Sequence, residues 1–176
     1  YGMLLSSGND AANAAAIALS GSIAAFAEQM NQRAAEIGMQ NTHFTNPSGL
    51  PDDNHYSTAY DMAILAREAL SNPVFAEVCA AKEAEVYFGN PPTAHTLTNH
   101  NRLLSTYAGV TGIKTGFTKA AGRCLVSSCE RDQLTMIAVT LNAPDDWNDH
   151  ANLFDYGFSR CKALVEPIQT PSAQIP

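Results

Sequence analysis

The fold is decided by residues 112–142, GIKTGFTKAAGRCLVSSCERDQLTMIAVTLN, in which apolar and β-branched runs alternate with short polar turns. Such runs, bounded by glycine and polar clusters, favour extended backbone. Three strands are therefore predicted, over residues 112–118, 122–129 and 134–142. Because connections of this length join antiparallel neighbours, the stretch predicts an antiparallel meander.

The residues on either side predict helices. Residues 9–19 are rich in Ala, and residues 22–37 place apolar side chains at a three-or-four spacing, so both segments favour helix. Thr58 and Asp61 resemble a capping box that opens a third helix. The same patterns predict a short helical turn at 74–80, strands at 85–88 and 96–104, and a last helix from Asp145 or Asp146 to about Lys162. Helices, a meander and a final helix together predict an α+β fold.

The composition excludes some classes of protein. The chain has 176 residues, of which 45% are hydrophobic, and this suits one domain with its own core. The net charge is −7 with only 10 Lys and Arg, so we expect no nucleic acid among the partners, since phosphate binding needs clustered basic residues. Residues 166–176 carry three prolines and no periodic pattern. We expect a domain over residues 1–165, followed by a linker toward a further C-terminal region.

No metal site or disulfide framework is indicated. The cysteines lack the spacing of a zinc site, which favours buried free thiols at Cys79, Cys124, Cys129 and Cys161. The histidines do not cluster with other ligand types, so we expect solvated or locally hydrogen-bonded side chains at His43, His55, His95, His100 and His150. We therefore expect neither a metal nor another cofactor.

Two short motifs carry candidate chemistry. Ser7-Gly8-Asn9 opens the Ala-rich helix, and Lys114-Thr115-Gly116 lies in the first meander strand. Taken separately, the first is typical of a helix cap and the second of an exposed edge strand. Ser-x-Asn followed by Lys-Thr-Gly, with an upstream Ser-x-x-Lys, is the motif set of penicillin-binding proteins and class A β-lactamases. Residues 41–55, dense in Asn, Pro, Gly and Asp, predict a long ordered loop of the kind that is often functional.

The surrounding sequence resembles one branch of these proteins, the serine D-alanyl-D-alanine carboxypeptidases. The resemblance runs from about Tyr1 to Lys162. It is carried by MLLSSGNDAA (3–12), FTNPSGLP (44–51), STAYDMA (57–63), GIKTGFT (112–118) and FDYGF (154–158). It implies the fold of penicillin-binding proteins and β-lactamases, a helical region plus an antiparallel sheet, here with the N-terminal strands missing.

The resemblance also implies acyl transfer. In this family a serine attacks the bond between two terminal D-alanines of a peptidoglycan stem peptide, D-alanine leaves, and water releases the shortened peptide. Penicillin and other β-lactams mimic the substrate and trap the acyl-enzyme. The setting implied for such an enzyme is extracytoplasmic, in the periplasm or at the outer face of the bacterial cell membrane.

Site residues follow from the same resemblance. Ser7 would relay a proton between the lysine beside the nucleophile and the leaving amine, and Asn9 would orient that lysine and bind the substrate amide. Lys114 would bring positive charge to Ser7 and to the substrate carboxylate, assisted by the Thr115 hydroxyl. Two backbone roles are implied as well: close approach of substrate at Gly116, and an oxyanion-hole N–H at Phe117.

Two features depart from the family pattern. Ser-x-x-Lys is expected several dozen residues before Ser7, but it occurs only at Ser159–Lys162, after Lys-Thr-Gly. We expect that the chain is a fragment whose nucleophile lies upstream, either in the same polypeptide or in a separate partner chain. Some relatives also have an arginine just after the last strand, where residues 144–148 contain no basic side chain. We expect Lys114 and Thr115 alone to recognise the carboxylate.

Two alternatives differ in chemistry. A β-lactamase on the same fold would hydrolyse the acyl-enzyme quickly through a positioned water, but no loop glutamate for that water is evident, and Gly8 stands where those enzymes commonly have Asp. A non-catalytic module that binds penicillin or peptidoglycan is favoured by the missing nucleophile. Turnover of a chromogenic cephalosporin would indicate the first, and absence of an upstream Ser-x-x-Lys would indicate the second.

Overall fold

The computed structural model describes residues 1–165, with side chains as far as Cys161. The expected linker, residues 166–176, lies outside the described residues. Helices and strands follow in this order: α1 (Asn9–Ser20), α2 (Ile23–Glu36), α3 (Ala59–Leu70), α4 (Pro73–Ala80), β1 (Glu83–Phe88), β2 (Thr93–Thr98), α5 (Leu103–Thr106), β3 (Val110–Thr118), β4 (Gly122–Arg131), β5 (Leu134–Thr140) and α6 (Asp146–Val165). The predicted α+β class is confirmed.

The first two helices meet at a sharp bend of 85°. Gly21 ends α1 in the left-handed conformation, with φ 78°, and its N–H bonds the Ile17 carbonyl. Ser22 then caps α2 by accepting a bond from the Ala25 N–H. Among the described residues no single helix has the length and apolar character to cross a membrane. Taken together, the bent pair α1 and α2 has the length and composition of a membrane span.

The capping box predicted at α3 is half formed. The Thr58 hydroxyl accepts a bond from the Asp61 N–H, as expected. The Asp61 carboxylate does not complete the box, because it accepts bonds of 2.7 Å from the Asn41 N–H and the Thr42 hydroxyl instead. Asp61 is buried, and it therefore fixes the start of the long loop 41–55 against α3.

The strand prediction at 96–104 was wrong beyond Thr98. The backbone leaves β2 where two asparagine side chains bind the main chain: Asn99 donates to the carbonyls of Cys79 and Ala81 at the end of α4, and Asn101 accepts from the Leu103 N–H. The short helix α5 follows. The bond of Asn101 to the nearby backbone competes with sheet pairing, and the bonds of Asn99 tie this point of the chain to the end of α4.

The three predicted meander strands form an antiparallel sheet in the order β3-β4-β5. On one face Val126 packs against Ala66 of α3 and Cys79 of α4. On the other face Ala138 and Cys129 pack against Phe154 of α6. Helices therefore cover both faces, and β3 and β5 are the edges of this sheet within the described residues.

The cysteines differ in burial. All four are free thiols, as expected. Cys79 and Cys129 are buried, but Cys124 and Cys161 are only half-buried, so the expectation of four buried thiols was wrong for two of them. Cys124 lies near the start of β4, and Cys161 lies near the last described residues of α6. Fewer helices and strands cover the side chains at these two places.

Candidate active site

Ser7 and Lys114, 107 positions apart in sequence, are in direct contact. The Lys114 Nζ donates a hydrogen bond of 2.9 Å to the Ser7 Oγ. Ser7 has φ 55°, a conformation uncommon for residues other than glycine. The tight loop before α1 holds it there, closed by a bond of 3.1 Å from the Gly8 N–H to the Gly2 carbonyl. Strained backbone of this kind clusters at functional sites.

Lys114 is half-buried at the edge of the sheet. Its Nζ donates a second bond of 2.9 Å, to the Thr115 carbonyl. Burial lowers the pKa of the Lys114 ammonium below its ordinary value, and the nearby Cys79 thiol opposes this in part. The lysine is thus held in place and gives up its proton more readily than a solvated lysine.

The backbone of β3 presents an N–H group to the open edge. Arg123 is the cross-strand partner of Phe117. Its carbonyl accepts a hydrogen bond of 2.9 Å from the Ala143 N–H, on the side of β4 away from β3. The N–H and C=O of one strand residue point the same way, so Arg123 does not bond Phe117. The Phe117 N–H therefore points away from β4, as does the Thr115 carbonyl that Lys114 binds.

All six residues predicted for the site line one cleft of about 450 Å³. They are Ser7, Asn9, Lys114, Thr115, Gly116 and Phe117. A Cβ added at Gly116 would meet nothing closer than 3.8 Å, so the protein itself does not require glycine there. The absence of a side chain instead keeps the backbone open toward the cleft.

The residues that form the opposite wall of this cleft were not predicted from the sequence. It is formed by residues 46–50 of the long loop together with His55. The His55 Nδ1 accepts a bond of 3.1 Å from the Thr45 N–H, which leaves the ring proton on Nε2. Burial lowers the pKa of His55, with Asp52 opposing the shift. The length and composition of the loop were the available signal, but they did not indicate which side chains face the site.

A second cavity, of about 620 Å³, adjoins the first along β3. Thr115, Gly116 and Phe117 line both cavities. The second is otherwise lined by residues from the β2–α5 segment, from β4 and from the start of α6: Thr98, Asn99, His100, Arg102, Arg123, Asp146 and Trp147, with Ser7 at the junction. Two arginines thus line the same cavity as Thr115, although residues 144–148, just after the last strand, contain no basic side chain.

A buried serine–histidine pair elsewhere in the fold has a structural role. The His150 Nδ1 is in hydrogen-bond contact with the Ser127 hydroxyl, and Nε2 is 3.0 Å from the Thr140 hydroxyl. Both ring nitrogens are occupied, and neither His150 nor Ser127 is exposed, so substrate has no access. Burial lowers the pKa of His150 to about 4. The expectation of a solvated or locally bonded side chain was therefore wrong in part, because His150 is buried and binds two strands.

Metal ligands do not cluster in the described part of the chain, where no group of three or more His, Cys, Asp or Glu side chains has a geometry that could hold an ion. The side chains and backbone that line the cleft offer hydroxyl, ammonium, amide, imidazole and backbone N–H groups. These groups suit general acid–base and oxyanion chemistry.

Comparison with known families agrees with this geometry. The family model described as D-alanyl-D-alanine carboxypeptidase matches residues 1–145, which include both motifs and all three meander strands. The chain belongs to the D-alanyl-D-alanine carboxypeptidase family. The resemblance drawn from the motifs is confirmed.

Individual members of the family show how much of it this chain covers. It is 40% identical over 162 residues to D-alanyl-D-alanine carboxypeptidase DacF of Bacillus subtilis, covering 90% of this chain and 41% of that protein. It is 38% identical over 166 residues to DacB2 of Mycobacterium tuberculosis, covering 90% of this chain and 56% of that protein. The chain thus spans about half the length of the curated relatives it matches.

Solved structures of the family have the same architecture. The crystal structure of the Streptomyces K15 DD-transpeptidase superposes with a TM-score of 0.86 at 32% identity, covering 90% of this chain and 66% of that one. The D-alanyl-D-alanine carboxypeptidase from Mycobacterium tuberculosis superposes with a TM-score of 0.82 at 36% identity, covering 90% and 62%. The expected fold of penicillin-binding proteins is confirmed.

Proposed function

We propose that this chain forms most of the substrate-binding cleft of a serine D-alanyl-D-alanine carboxypeptidase. The observation that carries the proposal is the contact between Lys114 Nζ and Ser7 Oγ inside a cleft lined by both motifs. A hydroxyl bonded to an ammonium is suited to relay protons, and the family supplies the reaction in which such a relay is needed. The nucleophilic serine comes from a Ser-x-x-Lys segment outside these 176 residues.

Ser7 and Lys114 act together on the leaving group. The Ser7 hydroxyl accepts a proton from the lysine beside the nucleophile and donates its own proton to the amine of the departing D-alanine. The Lys114 ammonium keeps the Ser7 oxygen oriented through its 2.9 Å bond and stabilises negative charge that develops there. Asn9, at the first turn of α1, lines the same cleft and is placed to bind the substrate amide.

The β3 edge binds the acyl group. The direction of the Phe117 N–H, away from β4, supports its role as one oxyanion-hole donor. Gly116 allows the substrate backbone to approach the strand, and the Thr115 hydroxyl assists in carboxylate binding. An extended peptide laid along β3 would then bring its scissile carbonyl beside Ser7.

The substrate of this proposal is a peptidoglycan stem peptide that ends in D-Ala-D-Ala, and β-lactams are its inhibitors. Members of the family are cell-wall enzymes, so we place the protein outside the cytoplasmic membrane, in the periplasm or at the outer face. The segment that carries the nucleophile is a further partner if it is a separate chain.

Two assays on the full-length protein test the function. Fluorescent penicillin should label it covalently, and D-alanine should be released from diacetyl-L-Lys-D-Ala-D-Ala. Rapid turnover of a chromogenic cephalosporin without D-alanine release would indicate a β-lactamase. Tight but non-covalent peptide binding without labelling would indicate a binding module, and either result would refute the proposal.

A further inference from the structure

The turn at residues 46–50 faces the edge strand β3 across the cleft. It lines the same cavity as Lys114, Thr115, Gly116 and Phe117. An extended peptide laid along β3 would therefore lie between the strand and this turn. Residues 46–50 belong to no helix or strand, so regular backbone pairing does not hold them in place. The position of this wall depends on hydrogen bonds made by side chains.

The side-chain amide of Asn46 makes those bonds. Its Oδ1 accepts from the Gly49 N–H at 2.8 Å and from the Ser48 hydroxyl at 3.0 Å. Its Nδ2 donates to the Leu50 carbonyl at 3.0 Å and to the Thr45 hydroxyl at 3.2 Å. An asparagine side chain has two N–H donors, and its oxygen has two lone pairs. All four are used within the loop, so Asn46 can act on a substrate only through the turn that it shapes.

The local sequence favours the same turn. Asn46-Pro47-Ser48-Gly49 has asparagine first, proline second and glycine fourth, which is the preferred pattern of a type I turn. Gly49 has φ 76°, in the left-handed region. A Cβ on Gly49 would meet nothing within 4 Å, so the backbone conformation, and not the space, requires glycine there. The amide of Asn46 thus closes a turn to which the backbone is already biased.

The residues just before Asn46 are fixed to the rest of the fold. Asn31 of α2 binds the backbone of Phe44 twice, donating to its carbonyl at 2.8 Å and accepting from its N–H at 2.7 Å. The Thr45 N–H donates to the His55 Nδ1 at 3.1 Å. Asn46 follows directly in the chain. Its four bonds therefore connect a rigid point of the loop to the residues that face the cleft.

We propose that Asn46 is a positioning residue for acyl transfer, which holds residues 48–50 as the wall that keeps the bound peptide against β3. This rests on the proposed function, because the wall matters only if a peptide is cleaved in this cleft. A displacement of about 1 Å in bound reactants can slow a reaction about 100-fold. An error in orientation lowers the rate of the chemical step more than it weakens binding. Loss of the Asn46 bonds therefore slows acylation at saturation and has little effect on affinity.

The test compares Asn46→Ala and Asn46→Asp in the full-length protein, by stopped-flow acylation with fluorescent penicillin. Alanine removes all four bonds, whereas aspartate retains the two acceptor bonds and loses the two donor bonds. We expect the saturating rate of acylation to fall about 10- to 100-fold in Asn46→Ala and about 3- to 10-fold in Asn46→Asp. The penicillin concentration that gives half the saturating rate should change less than about threefold. If Asn46→Ala does not fold, Asn46→Asp carries the test by the same criteria.

Asn72→Ala is the matched control. The Asn72 side chain accepts bonds from the N–H groups of Val74 and Phe75 at the start of α4, and it does not line the cleft. Its loss should lower the melting temperature by about 2–4 °C and leave the saturating rate of acylation unchanged. This control separates a loss of stability from a loss of positioning, because both variants remove asparagine bonds to the backbone of a neighbouring segment.

Two results would overturn the role of Asn46 while the proposed function stands. One is a wild-type rate of acylation in the folded Asn46 variants, and the other is an equal loss of rate in Asn72→Ala. A wild-type protein that neither releases D-alanine nor labels with penicillin would instead refute the proposed function, and the role of Asn46 in acyl transfer with it.

Discussion

The Lys114 ammonium lies 2.9 Å from the Ser7 hydroxyl, across a cleft that also contains the backbone of Thr115 and Gly116. The contact joins the loop before α1 to the edge strand β3, and Leu4 of that loop packs in the core between the sheet and helices α3 and α4. It places a partly desolvated ammonium on the hydroxyl that is proposed to relay the proton.

Substitution of Lys114 should affect chemistry before it affects stability. In the full-length protein, Lys114→Ala should lower the rate of acylation by fluorescent penicillin about 100-fold or more, since it removes the charge that orients Ser7. The melting temperature should change little, because a half-buried lysine on an edge strand contributes little to the core. Lys119→Ala, an exposed lysine in the β3–β4 turn, is the control. Equal labelling of the Lys114 variant and the wild type would remove Lys114 from the mechanism.

Two glycines of β3 should respond in opposite ways. A Cβ at Gly116 would meet only ordinary contacts, so Gly116→Ala should unfold like the wild type while acylation falls about tenfold through a blocked approach to the strand. At Gly112, which has φ 149°, a Cβ would lie 3.1 Å from the Cys79 Cβ. Gly112→Ala should therefore lose about 1–3 kcal/mol of stability in urea unfolding. If Gly116→Ala acylates normally, close backbone approach at this position is not needed.

The stability of the fold should depend on pH through His150. The pKa of His150 is about 4 in the folded chain and 6.5 when solvated, so the unfolded state binds more protons between these values. The stability that neutral His150 supports is present above pH 6.5 and is lost as pH falls through 4. Between about pH 7 and pH 4 the wild type should lose about 3 kcal/mol more than His150→Gln in urea unfolding.

His100→Gln is the control for that experiment, because His100 is exposed and should leave the pH dependence unchanged. Identical pH profiles for the wild type and His150→Gln would mean that folding does not change the pKa of His150, in conflict with its buried position between Ser127 and Thr140.

The outer edge of β5 should promote association of the 176-residue chain. Within the described residues no strand pairs with that edge, and Leu134 and Leu141 beside it are exposed by 42% and 43%. Unpaired strand edges with apolar neighbours favour pairing with another chain. Size-exclusion chromatography should show oligomers or poor recovery, and Leu134→Lys should shift the chain toward monomer. A stable wild-type monomer would contradict this prediction. The 176-residue chain by itself should also form no covalent penicillin adduct, and labelling of it would show that the nucleophile has been misplaced.

Local patterns in the sequence determined the elements of this fold. The helices over residues 9–19 and 22–37, the cap at Thr58 and the three meander strands were all predicted, because each depends on residues within one or two turns or on the two-residue period of a strand. The strand prediction at 96–104 was wrong beyond Thr98 because the course of the chain there depends on residues distant in sequence. Its apolar pattern was overridden by asparagine bonds that reach as far as Cys79, about 20 positions away.

The sequence also determined the family and the six candidate residues of the cleft, but only the tertiary structure decided how they meet. The direction of the Phe117 N–H depends on which neighbour Arg123 bonds, and this is set by sheet register. The pairing of Arg123 with Asp146 depends on how α6 docks on the sheet, which no local period encodes. Burial of His150 follows from the same docking. Contacts of this kind join residues distant in sequence, and they exist only once helices and strands have packed against one another.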